Sequence, residues 1–249
     1  MADLKGKRYW LVGASDGLGR ALAEALSAEG VSLVLGARSL DRLREVAAAL
    51  PGPAEVVEID VSDPASVERA AREVGEIDGL VYLAGVYWPM AAGDWEPAQA
   101  TAMADVNFTG AVRVLGQVLP AMTARGRGHV VLTGSLTGFR GLPGSIGYTA
   151  SKAAVMSLAE CLYADLRGTG VRVQLVNPGF IRTRLTDKND FAMPFILEPG
   201  EAAAIVARHM ATDRFKRNFP RGFSLVFRLG QFLPDALYYR LFAPRRSGS

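Results

Sequence analysis

Tyr148 and Lys152 stand four residues apart in Tyr148-Thr149-Ala150-Ser151-Lys152. On a helix that spacing puts both side chains on one face. A neighbouring ammonium favours the phenolate and draws a tyrosine pKa down from about 10 toward neutrality, which makes a phenol usable as a general acid or base. An isolated pair of this kind is more often an ordinary exposed pair. Ser135, thirteen residues upstream at the end of an apolar run, adds a hydroxyl and tips the balance toward chemistry. Near the start, Gly13-Ala14-Ser15-Asp16-Gly17-Leu18-Gly19 has the spacing G-x-x-x-G-x-G. Glycines there let the backbone approach a pyrophosphate at the positive N-terminus of the next helix. The motif alone also fits a plain tight turn. The apolar run before it and the helical pattern after it favour the ligand, and no Gly-Lys-Ser/Thr follows to suggest a P-loop. His129 and His209 have no Cys or carboxylate partners at ligand spacing, so no metal site is expected. Cys161, the one cysteine, is expected to be a small core residue in an apolar helix, in a reducing compartment.

These residues need elements to hold them. Apolar runs at 9–12, 31–35, 56–59, 80–83, 130–133 and 171–176 predict strands, and continuous apolar strands belong to parallel sheets covered on both faces. Helical patterns separate them at 20–29, 40–50, 64–74, 97–122 (one or two helices) and 148–166, with Ser62 or Asp63 capping the third and Pro64 in its first turn. The alternation predicts an α/β fold: one single-domain, Rossmann-like, doubly wound parallel sheet with helices on both faces. It has a cofactor half (8–135), a catalytic and substrate half (135–213) and an apolar, basic C-terminal extension (214–249). Ligands in such sheets bind outside the carboxyl ends of the strands. Six strand ends in succession carry the unusual residues: the glycine turn, Arg38, Asp60, Ala84-Gly85, Ser135 and Pro178-Gly179.

With these motifs together, the chain resembles the short-chain dehydrogenase/reductase family over residues 8–210. The resemblance implies catalysis by Asn107, Ser135, Tyr148 and Lys152: Ser135 bonding the substrate oxygen, Tyr148 moving the proton, Lys152 tuning it and holding the nicotinamide ribose, and Asn107 holding a relay water. It further implies that Asp60 and Val61 contact adenine, that Ala84 and Gly85 line the cleft, and that Pro178, Gly179, Ile181 and Thr183 flank the nicotinamide. Two departures stand out. Tyr82-Leu83 replaces the family's Asn-Asn, so the polar brace of that strand is missing and local rigidity is expected to fall. Where many members finish with a strand and an Asp-Gly-Gly ending, this chain has Phe219-Pro220-Arg221-Gly222-Phe223 and then two apolar patches. At the end of the second strand Ala37 stands where a carboxylate would select NAD(H), and Arg38 offers a guanidinium matched to a 2′-phosphate, with Asp41 close enough in sequence to neutralise it. NADP(H) is therefore favoured over NAD(H). The expected activity is interconversion of a carbonyl and an alcohol. The alternatives are a non-catalytic NADP(H)-sensing regulator of the same fold and, within enzymes, a sugar epimerase, whose larger C-terminal part this chain does not match.

Length and charge bound the rest. The 249 residues form a core large enough to need no disulfide, and neither a secretory signal nor a membrane-spanning stretch is expected. From Arg208 onward nine Lys/Arg face two Asp/Glu, a local net of +7, which leaves −4 on the first 207 residues. No nucleic-acid motif accompanies this charge, so no nucleic acid is expected. Tyr87, Trp88, Met90, Phe139, Phe180, Phe191, Met193 and Phe195, with Arg140 and Arg182, are expected at the mouth, suiting a hydrophobic small-molecule substrate. Residues 183–194 read as a lid over it. The 214–249 segment is expected as a short strand and two apolar helices that roof the pocket or join subunits. The expected protein is a cytoplasmic homodimer or homotetramer, with peripheral membrane contact as a secondary role of 214–249.

Overall fold

The computed structural model describes residues 4–242. Seven parallel strands run β1 (Arg8–Val12), β2 (Ser32–Ala37), β3 (Ala54–Glu58), β4 (Gly79–Tyr82), β5 (Gly128–Thr133), β6 (Val171–Pro178) and β7 (Lys216–Phe219). Their order across the sheet is β3-β2-β1-β4-β5-β6-β7. The helices are α1 (Gly17–Ala28), α2 (Leu40–Ala48), α3 (Pro64–Val74), α4 (Pro97–Ala104), α5 (Gly110–Ala124), α6 (Ile146–Asp165), α7 (Pro199–Met210), α8 (Arg221–Gly230) and α9 (Asp235–Phe242). The alternation of β1 shows why helices cover both faces. Trp10 and Val12 pack with Val67, Val114 and Val155 of α3, α5 and α6, whereas Tyr9 and Leu11 pack with Leu22, Leu43 and Val206 of α1, α2 and α7. The chain reverses its winding between β1 and β4, which opens a crevice at the carboxyl ends of those strands.

Local chemistry sets the ends of the elements. The Asp63 carboxylate accepts from Ala65 N at 3.0 Å, with Pro64 at the first helical position of α3. The predicted 97–122 region divides into α4 and α5, joined by a π-helical turn over Asp105–Thr109. The missing brace on β4 is supplied differently from expectation. Tyr82 is buried, and its hydroxyl donates to the Val106 carbonyl of the π turn at 2.6 Å. Cys161 is also corrected: it is exposed, because the inward face of α6 runs through Lys152, Val155, Met156 and Ala159, and Cys161 falls on the opposite side.

Beneath the sheet, at the ends away from the crevice, lies a buried polar hub. His129 Nδ1 accepts from the Tyr9 hydroxyl at 2.7 Å, with Arg172 at 3.0 Å, so the proton sits on Nε2 and is donated to Gln174 Oε1 at 2.9 Å. The Gln174 amide in turn donates to the carbonyls of His209, Thr212 and Arg214. Burial, reinforced by the Arg172 charge, pushes the His129 pKa down to about 3. The unfolded chain would protonate this imidazole near pH 6.5, so the contribution is complete above that pH and is lost as the pH falls toward 3. Stability should decline by about 1.4 kcal/mol per pH unit in that window from this group. Burial also lowers the His209 pKa, which acts in the same direction. Urea unfolding between pH 7 and 4.5 checks this: His129→Asn should flatten the slope, and an unchanged slope would contradict it.

Candidate active site

The crevice holds a cavity of about 330 Å³. Gly13, Ser15, Asp16, Gly17, Leu18 and Gly19 line it from the loop between β1 and α1. Arg38, Asp60, Val61, Ala84 and Gly85 follow from the ends of β2, β3 and β4; Tyr148 and Lys152 come from α6; Pro178, Gly179, Ile181 and Thr183 follow β6. The tight geometry of the first loop requires its glycines. Gly13 has φ +99°, and a Cβ there would lie 2.5 Å from Ala84 N, while a Cβ on Gly19 would lie 2.0 Å from the Gly13 carbonyl oxygen. Gly19→Ala should therefore cost at least 1–3 kcal/mol of overpacking, roughly, and loosen the loop. Thermal unfolding with and without dinucleotide tests this, and a variant as stable as the parent would contradict it.

At the far end of the crevice, Arg38 is joined by Ser39 and Arg42, one helical turn on, which the spacing alone did not single out. Asp41, thought able to neutralise Arg38, is engaged by Arg44 at 3.1 Å. Burial opposes ionisation of Asp60, but bonds from the Ser62 hydroxyl (2.6 Å) and backbone (2.9 Å), with the Arg38 charge nearby, hold its carboxyl below the ordinary range. Arg184 also reaches the rim and pairs with Asp16, whose other oxygen accepts from Gly17 N at 2.8 Å.

At the near end, Tyr148 and Lys152 share the first turns of α6, with Lys152 Nζ 5.8 Å from the Tyr148 ring centroid. The ammonium is buried and donates to the Thr133 carbonyl at 2.9 Å, and burial lowers its pKa to about 8. The expected lowering of the tyrosine is not what the site shows. Burial raises Tyr148 to about 12; the nearby Ser135 hydroxyl opposes this and Tyr87 adds to it. Five to six ångströms from the ring, an ammonium that is itself desolvated does not offset the loss of water around the phenol. The Ser135 hydroxyl also accepts from Thr137 N (3.2 Å) and the Thr137 hydroxyl (3.0 Å), which fixes its position after β5.

Asn107 sits in the π turn, fully buried. Its Oδ1 accepts from Val86 N at 2.7 Å, and its amide protons go to the Val86 carbonyl (3.0 Å) and Ser151 Oγ (3.0 Å). The amide thus ties the loop after β4 to α6. A Cβ on Gly85 would lie 3.3 Å from Asn107 Oδ1 and 3.7 Å from Lys152 Nζ, so a side chain there would crowd this junction. Neither Ser135 nor Asn107 lines the cavity itself.

Two charges expected at the mouth are engaged elsewhere, while Met90 is buried and Phe139 packs against the core. Arg140 is turned away to the C-terminal helices: it donates to the Leu233 carbonyl at 2.6 Å, pairs with Asp235 and stacks 4.1 Å from the Tyr238 ring centroid. Arg182 pairs with Glu198 at 2.7 Å. The segment after β6 lies across the entrance. Asn189 accepts from the Tyr87 hydroxyl at 2.8 Å, and Lys188 donates to the Tyr87 carbonyl at 2.7 Å while covering Trp88. Tyr87 meets Tyr148 edge to face at 5.0 Å, so the same aromatic joins the lid segment to the reactive phenol. Phe180, Phe223 and Phe195 form a continuous aromatic wall with centroids 5.6–5.9 Å apart. Among the described residues no three His, Cys, Asp or Glu side chains are grouped to hold a metal ion.

The family model described as short chain dehydrogenase matches residues 7–192. The chain belongs to the short-chain dehydrogenase/reductase family of oxidoreductases. An uncharacterized oxidoreductase of Myxococcus xanthus is 38% identical over 245 residues, covering 96% of this chain and 97% of that protein. Two solved structures show the same fold with bound dinucleotides. One is an alcohol dehydrogenase from Thermococcus sibiricus complexed with 5-hydroxy-NADP (27% identity, TM-score 0.77, 86% of this chain and 95% of that one). The other is a short-chain dehydrogenase/reductase from Burkholderia phymatum in complex with NAD (26% identity, TM-score 0.83, 92% and 94%). In this short-chain dehydrogenase/reductase, the glycine loop and both ends of the crevice lie within the matched residues.

Proposed function

We propose that this protein is an NADP(H)-dependent oxidoreductase that interconverts a carbonyl and an alcohol on an apolar small molecule. The observation that carries the reading is Tyr148, with the Ser135 hydroxyl nearby and backed by buried Lys152, at one end of a crevice whose other end presents Arg38 and Arg42. The crevice fits a dinucleotide: its loop tolerates only glycine at Gly13 and Gly19, and the buried Thr133 hydroxyl on its lining has no partner in the protein. When bound, the nicotinamide supplies or accepts the hydride.

The chain's own residues do the rest. The N-terminus of α1 and the glycine loop take the pyrophosphate, Asp60 and Val61 the adenosine, and Arg38 with Arg42 a 2′-phosphate. Ala84, Gly85, Pro178, Gly179, Ile181 and Thr183 shape the nicotinamide end, and Lys152 faces the ribose. Ser135 holds the substrate oxygen. Tyr148 gives its proton to that oxygen as the carbonyl carbon is reduced, and takes it back in the reverse direction. Its raised pKa keeps the phenol loaded at neutral pH, the state that reduction needs. Asn107 positions the group by fixing the 86 loop to α6. The Phe180, Phe223 and Phe195 wall favours a hydrocarbon body over a sugar. Homo-oligomers would form through the outer faces of α5 and α6, where Val112 and Tyr163 are exposed. A panel of apolar ketones assayed for NADPH consumption tests the reading. Turnover restricted to sugar nucleotides would overturn it.

A further inference from the structure

The C-terminal helices present a surface that the crevice does not use. On α8, Arg221, Leu225 and Arg228 follow at intervals of four and three, so they share one stripe beside Leu229, and Phe232 follows in the turn after the helix. The opposite face packs inward, through Phe223 on Phe180 and through buried Ser224 and Gly230. Leu225 is 48% exposed, Leu229 64% and Phe232 79%, and Leu241 of α9 adds another at 63%. Monomeric soluble proteins do not usually group apolar side chains so openly.

The charge around this face is of one sign. A groove of about 770 Å³ beside it is lined by Arg214, Arg217, Arg221 and Arg228 together with Leu229 and Phe232. Helix α8 contains no acidic residue, and Asp235 at the start of α9 is engaged by Arg140. Lys216 pairs with Glu160, but among the described residues none of those four arginines has a carboxylate within ion-pair distance. A two-fold contact between copies through this face would bring two surfaces of the same positive sign together, which disfavours a second copy of this chain as the occupant. No helix among the described residues is long and apolar enough to cross a membrane. Short helices with an open apolar face edged by arginine lie in the plane of an anionic bilayer interface.

We propose that α8 and α9 dock this protein on an anionic lipid surface. Phe223, on the inner side of α8, lies 3.3 Å from the position a Cβ would take on Gly179, so docking would bring the entrance of the crevice to the lipid. The docking itself is independent of the proposed activity. Only the further consequence, that an apolar substrate enters from the bilayer, rests on it.

The test is flotation of the full chain with vesicles of phosphatidylcholine containing phosphatidylglycerol. Binding should fall at high salt and with pure phosphatidylcholine. R221Q/R228Q should weaken it about 25-fold, at about 5-fold per charge. L229S/F232S should abolish it. Both variants should keep NADPH-dependent turnover of a water-soluble ketone within about twofold, which separates failed docking from a failed assignment of activity. Absence of flotation at low salt overturns the proposal. So does a dimer in light scattering that L229S/F232S converts to monomer while vesicle binding is unchanged.

Discussion

Tyr148→Phe is expected to lower turnover by roughly 10²–10⁴-fold, the range over which positioned proton transfer contributes. The substitution keeps the ring and its edge-to-face contact with Tyr87, and removes only the proton that would reach the substrate oxygen. Dinucleotide affinity should stay within about threefold, since Lys152 and its bond to the Thr133 carbonyl remain. The pH dependence should differ by direction. Carbonyl reduction needs protonated Tyr148, which burial secures with a pKa of about 12. Alcohol oxidation needs the phenolate, so its rate should rise with pH through the neutral range. Stopped-flow turnover in both directions measures this. A Tyr148→Phe enzyme with near-parental turnover would exclude the phenol as acid or base.

Arg38→Ala is expected to weaken NADPH by roughly 30–150-fold, or about 2–3 kcal/mol for a charge-assisted contact, and to leave NADH nearly unaffected. Structure adds Arg42 beside it and frees both from Asp41. Arg42→Ala should act in the same direction, because both guanidiniums line the same end of the crevice. Calorimetric titration of each dinucleotide checks both variants. Equal affinity of the parent for NADPH and NADH would contradict the role given to Arg38.

What was legible in the chain was what depends on short spacings. The strand ends, the glycine loop, the pairing of Tyr148 with Lys152 on one helix and the basic, apolar C-terminal helices all follow from periodicity or local chemistry. The features that escaped depend on elements distant in sequence coming together. Tyr82 braces Val106 across 24 residues, and nothing near Tyr82 signals that a π turn will stand opposite it. Arg140 looked like a charge at the mouth because it follows Ser135, yet it serves residues more than ninety positions later. The direction of the Tyr148 shift is not local either. Its helix position is local, but its burial is made by other elements, including Tyr87. Cys161 was placed in the core from the apolar composition of its helix, when the inward face is set by the positions of Lys152, Val155 and Ala159.

The central claim is that the crevice carries out carbonyl–alcohol exchange with NADP(H), and it is tested most directly by following the transferred hydrogen. NADPH carrying deuterium at both C4 positions of the nicotinamide is incubated with an apolar ketone, and the alcohol is examined by mass spectrometry. The expected product carries one deuterium on the carbinol carbon, forms in equal amount to the NADPH consumed, and is lost with Tyr148→Phe. Tight NADPH binding with no deuterium transfer to any ketone, and none from any alcohol in reverse, would contradict it and leave a protein that binds the dinucleotide without turning it over.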